Sequence, residues 1–121
     1  LGDAWIDSKL HLAMLTHVNG KWFGAPEAGV DMQFNFAQLV AHVAKTRPLS
    51  AGTIVGSGTV ANEDTTLGAS CFAEQRTVET LRDGKASTPF MSFGDTVRIE
   101  MLDKNGDSVF GAIEQRISQM P

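Results

Sequence analysis

Two stretches carry residues whose types and spacing could do chemistry. The first is Gly56-Ser57-Gly58-Thr59. It follows the β-branched Thr53-Ile54-Val55, which reads as a strand between Gly52 and Gly56. Glycines there let backbone amides approach a ligand, and the Thr59 hydroxyl can donate to a carboxylate or keto oxygen. A tight turn or a β-bulge would use the same residues. The second is Glu74, preceded by the uncharged run Gly68 to Ala73. A carboxylate beside Cys71, Phe72 and Ala73 can be partly desolvated, which raises its pKa and suits proton transfer. The competing reading pairs Glu74 with Arg76, because i and i+2 share a face in a strand. Taken in isolation, the residues favour that pair.

Other chemistry finds little support. His11, His17 and His42 stand at no H-x-x-x-H or Glu-x-x-His spacing. His42 reads as a helix-surface or core-edge residue, and His17, beside a turn, as solvated. There is no Glu-x-Glu to put two carboxylates on one strand face. Asp103, Asn105 and Asp107 begin like a calcium loop, but the glycine comes too early, so they read as a plain turn. Neither a Walker sequence nor G-x-G-x-x-G occurs.

The elements that must position these residues follow from hydrophobic period and turn chemistry. Asn19-Gly20 between Leu12–Val18 and Lys21–Phe23 predicts a hairpin, since both residues tolerate positive φ. Asn35 with Gln38 predicts a capping box, and Phe36, Leu39, Val40 and Val43 form one helical stripe. Pro48 stops that helix near Lys45. Phe72 to Leu81 reads as a strand closed by a turn at Asp83-Gly84. Val97, Ile99 and Met101 alternate with charged residues in a half-buried strand. Asn105-Gly106 offers a second hairpin turn into Val109–Ile117, where Val109, Ile113 and Ile117 share a face. One helix among about six or seven short strands predicts a β-rich α+β domain.

The 121 residues suit one domain, spanning the whole chain. A net charge of −4 argues against nucleic acid or an anionic membrane as partner. The single Cys71 allows no intrachain disulfide and no cysteine-based zinc site, which fits a cytoplasmic protein. No apolar run reaches about 18 residues, and no signal peptide is visible. The start at Leu1 fits a fragment boundary, a processed end or a missing upstream segment.

Read together, the segments resemble the fumarylacetoacetate hydrolase family. Leu49-Ser50-Ala51-Gly52-Thr53-Ile54-Val55-Gly56-Ser57-Gly58-Thr59 is similar to its "leucine, two residues, glycine, apolar strand, glycine-threonine" signature. Phe93-Gly94-Asp95-Thr96-Val97-Arg98-Ile99-Glu100 resembles its late "G-D-x-V-x-I-E" strand. The Asn19-Gly20 hairpin, Asp31-Met32 and the short helix come in the family's order. The resemblance runs from about Leu10 to Ile117.

The resemblance implies a mixed β-sandwich roll with one short helix. It implies a divalent cation, usually magnesium, alternatively manganese or calcium, that binds a 2-oxo acid or β-diketone as its enolate. The reaction would be hydrolysis of a carbon–carbon bond, as in aromatic and tyrosine catabolism, or decarboxylation, isomerisation, hydration or dehydration. Thr59, with Gly58 before it, matches the residue that holds the substrate's carboxylate or keto oxygen. Glu74 resembles the glutamate that activates water with an upstream histidine; its approach resembles "G-S-x-x-E", one residue out of register. Val60 stands where many members have proline, which favours the fumarylacetoacetase-like branch.

The family's metal-binding carboxylates and its catalytic lysine and histidine precede the matched region. The expectation is therefore a C-terminal portion of a longer catalytic domain, inactive alone, with no metal ligands of its own. Its partner would be a second copy or the upstream half. The alternative is a free-standing, non-catalytic binding subunit of the same fold.

Overall fold

The computed structural model describes residues 2–120. After a 3-10 turn at Gly2–Ala4 come β1 (Trp5–Ile6), β2 (Lys9–Leu10), β3 (Leu15–Val18), β4 (Lys21–Gly24) and α1 (Phe36–Ala44). A second 3-10 turn, Thr65–Leu67, leads to α2 (Phe72–Asp83), β5 (Thr96–Glu100) and β6 (Ile113–Arg116). Four strands form an antiparallel sheet in the order β4-β3-β5-β6, and β1 pairs with β2 separately. The fold is α+β and β-rich, with two sheets and two α-helices among the described residues.

The β3–β4 turn has the chemistry its sequence predicts. Asn19 and Gly20 both have positive φ, 51° and 73°. Asn19 also anchors the next strand: its side chain donates to Asp95 Oδ1 at 2.8 Å and accepts from the Thr96 amide at 2.9 Å. Helix α1 starts in the expected capping box, with reciprocal Asn35–Gln38 bonds of 2.9 Å, and its C-cap is Lys45. Phe36 stacks on Trp5 with centroids 5.9 Å apart, which docks α1 on the β1–β2 hairpin.

Three predicted elements differ. Phe72 to Leu81 lies in helix α2, not a strand, and the turn at Asp83-Gly84 ends that helix, with Gly84 as its left-handed C-cap. Its inward stripe is Phe72, Gln75, Arg76 and Glu79, the i, i+3, i+4, i+7 positions; these are buried or half-buried, while Leu81 is 83% exposed. The stripe is written mostly in polar residues, so hydrophobic period does not reveal it. Thr53-Ile54-Val55 is a loop, held by a Ser50–Thr53 turn, with Ile54 94% exposed. β-Branched residues favour strands only where neighbours pack on them, and Ile54 at the centre of this run is left open. The segment after Asn105-Gly106 makes a bridge at Leu102–Ser108 and becomes a strand only at Ile113.

The interior is shallow. Among the described residues Leu10 and Ala69 are buried apolar residues, and Pro26, Thr16 and Glu79 are buried as well. Phe23 of β4 meets Phe72 of α2 at 4.7 Å between centroids. Next to them Gly24 bridges Gly68, and a Cβ on Gly24 would lie 2.2 Å from the Ala69 carbonyl oxygen. That contact lets the Gly68–Ser70 segment enter the sheet's flank and sets where α2 begins.

Candidate functional site

Thr59 lies in the long loop between α1 and α2, at no strand end, contrary to the strand expected before it. It lines a cavity of about 280 Å³ with Ser57 on its own loop and Asp31, Phe34 and Leu39 opposite. Gly58 has φ +92° and open space around it, so the backbone angle, not crowding, calls for glycine.

Asn62 fixes this loop. Its Oδ1 accepts from the Glu27 amide at 2.7 Å, and its Nδ2 donates to the Glu27 carbonyl at 3.1 Å and to Asp31 Oδ2 at 3.0 Å. The Glu63 amide donates to the same Asp31 oxygen at 3.0 Å. Asp31 and Asn62 therefore position the wall that carries Thr59. Sequence reading gave Asn62 no role, because its partners lie 31 and 35 residues away and no local pattern marks them.

Glu74 occupies the first turn of α2. Cys71 caps that turn, its sulfur accepting from the Glu74 amide at 3.3 Å. Glu74 Oε2 is buried and has no hydrogen-bond partner among the described residues. Burial pushes the Glu74 carboxyl up from its ordinary value, and a hydrogen bond from the Ser70 backbone partly opposes that. The expected Arg76 pair does not form. On a helix i and i+2 point apart; Arg76 instead donates to the Thr88 carbonyl and covers the Phe90 ring at 4.5 Å.

Glu74 does not line the Thr59 cavity. The link between them is Ser70. Its hydroxyl donates to the Val60 carbonyl at 2.6 Å, and it directly precedes Cys71, the N-cap of the helix turn that carries Glu74. One residue thus ties the loop that presents Thr59 to the helix turn that presents Glu74. A larger groove of about 720 Å³ runs between Trp22, Phe72 and Phe90, but it holds neither Thr59 nor Glu74.

Residues 3–118 match the family described as fumarylacetoacetate (FAA) hydrolase C-terminal. The chain belongs to that family. No curated protein matches it. As an FAA hydrolase C-terminal domain it comes from an enzymatic, hydrolase-like family.

The carboxylates of this FAA hydrolase domain do not by themselves fit a divalent cation. Among the described residues no group of three or more His, Cys, Asp or Glu converges, and hard cations need several oxygens at one point. Glu27 Oε2 takes the Gly29 and Val30 amides at 3.1 and 2.6 Å, while its Oε1 is buried, has no hydrogen-bond partner among the described residues and lies 3.7 Å from His11 Nδ1. Asp103 Oδ1 takes the Asn105 and Asp107 amides at 2.8 and 3.0 Å. Asp103 is thus the plain turn the sequence suggests. His17, expected to be solvated, is half-buried in β3 with Nδ1 buried and unpartnered, whereas His42 is exposed on α1.

Proposed function

We propose that this domain supplies the substrate-facing threonine and the proton-transfer glutamate of a metal-dependent carbon–carbon hydrolase acting on a 2-oxo acid or β-diketone. The observation that carries the reading is Glu74, a desolvated carboxylate with one unpartnered oxygen, in a chain whose residues 3–118 match the FAA hydrolase family. A carboxylate with a raised pKa is a better proton acceptor than an ordinary one. Thr59, with Gly58 beside it, would hold the substrate's carboxylate or keto oxygen through its hydroxyl. In this reading the remaining fold is the family's β-sandwich roll. The cation, magnesium or alternatively manganese or calcium, is held by residues outside this chain.

The experiment is calorimetric titration with magnesium, on this chain and on the complete protein. This chain is expected to show no micromolar site, and the complete protein to show one. Micromolar one-site binding by this chain alone would overturn the division of labour. Absence of binding by the complete protein would favour a non-catalytic subunit of the same fold.

A further inference from the structure

The cavity that Thr59 lines is small, about 280 Å³, and its walls differ in character. Thr59 and Phe34 are exposed and stand at its mouth, while Met32, Leu39 and Val60 are half-buried and line its interior. Among the described residues of the lining there is no lysine, arginine or histidine. Gln33 and Ser57 are neutral, and the one acidic side chain is Asp31. Asp31 is fixed there, since its Oδ2 accepts from Asn62 Nδ2 and from the Glu63 amide, both at 3.0 Å. Lys9 reaches the same segment, but it donates to the Met32 carbonyl at 2.7 Å and is not part of the lining.

A 2-oxo acid with an acyl group has two ends of different chemistry. Its head carries the charge that a cation from outside this chain would match. Its acyl tail lies beyond the bond that breaks and must find room in the protein. With Thr59 holding a head oxygen at the mouth, the interior of the cavity is the space left for the tail. Small apolar walls favour an alkyl tail, which gains by leaving water. A tail ending in a second carboxylate would lose its water without meeting a cation, and would stand near Asp31, of the same sign. Burying an unpaired charge is strongly unfavourable. We propose that Met32, Phe34, Leu39 and Val60 form a subsite for short apolar acyl tails, so that the enzyme takes neutral-tailed acylpyruvates and rejects those whose tail ends in a carboxylate. The proposal rests on the carbon–carbon hydrolase reading and narrows its substrate. Within the subsite Phe34 and Leu39 set specificity, because they face Thr59 from the other side of the cavity.

The test compares butanoylpyruvate with succinylpyruvate, by pyruvate release from the complete protein with magnesium. The two differ at the end of the tail, a methyl in the first and a carboxylate in the second. The expected kcat/KM ratio is roughly a hundredfold or more in favour of the butanoyl compound. Leu39→Arg keeps a good helix former in α1 and brings a guanidinium to the inner wall. It should shrink that ratio by about tenfold or more, chiefly by improving the succinyl compound. Phe34→Arg should act in the same direction from the mouth, at a position 64% exposed where substitution spares the interior. Equal efficiency on both compounds, or a parent that prefers the succinyl one, would overturn the subsite and leave the hydrolase reading standing. A ratio unchanged in both variants would overturn it as well. No turnover of either compound would overturn the hydrolase reading itself, and the subsite with it.

Discussion

Two glutamates on one helix show how surroundings split the behaviour of one residue type. Glu74 is half-buried, with one orphan oxygen among the described residues, and its carboxyl is pushed up. Glu79 is 3% exposed but fully served. It accepts from the Thr88 amide and hydroxyl, from Gln75 Nε2 and from the Ser87 amide, and these bonds hold its carboxyl far below the ordinary range. A carboxyl whose folded pKa is depressed adds stability that is present above its unfolded value, near 4.5, and lost as pH falls through that value toward the folded one. Glu79→Gln should therefore lower the melting temperature clearly at pH 7. The gap to the parent should close progressively below about pH 4. Thermal melts across that range check both halves; a gap that persists at low pH would point to packing rather than charge. For Glu74 the sign reverses: between the ordinary value and the raised one the folded state holds more protons, so stability falls as pH rises. Glu74→Gln should leave stability at pH 7 unchanged or higher.

Elements were legible where local chemistry decides them. The Asn19-Gly20 turn and the Asn35 capping box follow from a few adjacent residues and form as read, while β5 forms over Thr96–Glu100 with Met101 outside it and all five residues half-buried rather than alternating. Asn35→Ala should cost about 0.5–2 kcal/mol, measured by denaturant unfolding. Helix α2 was not legible, because its inward positions 75, 76 and 79 carry Gln, Arg and Glu to clamp the Ser87–Phe90 segment rather than to fill an apolar core. Thr77, Val78 and Thr80 then mimic a strand. Of the candidate site, Thr59, Gly58 and Glu74 stood out by residue type and neighbours. Asn62 and Ser70, which bind those parts together, did not, since their role depends on chain segments that meet only in the fold. The Gly24–Gly68 approach is the tightest point of that assembly. Gly24→Ala should destabilise by about 1–3 kcal/mol or more, because its Cβ meets backbone that cannot turn aside. A variant as stable as the parent would mean the Gly68–Ser70 segment is free to shift, and with it the link to Glu74.

At the scale of the molecule, the surface is large for the mass. The chain exposes 8523 Å², against about 6,300 Å² for a typical folded monomer of 13.0 kDa. The surplus of about 2,200 Å² exceeds the roughly 800 Å² that one partner contributes to a standard interface. It includes Trp22, Phe34, Ile54, Phe90, Phe93 and Phe110, each more than half exposed. Among the described residues no helix is long and apolar enough to cross a membrane. We propose that the upstream part of an FAA hydrolase fold covers this surface. The measurement that bears most directly on the account is turnover of Glu74→Gln in the complete protein on an acylpyruvate-type substrate, with magnesium affinity measured alongside. The account predicts a fall in kcat of about 10²–10⁴-fold with magnesium affinity close to the parent's. Near-parental turnover would contradict it and leave Glu74 a half-buried acid with no part in the chemistry.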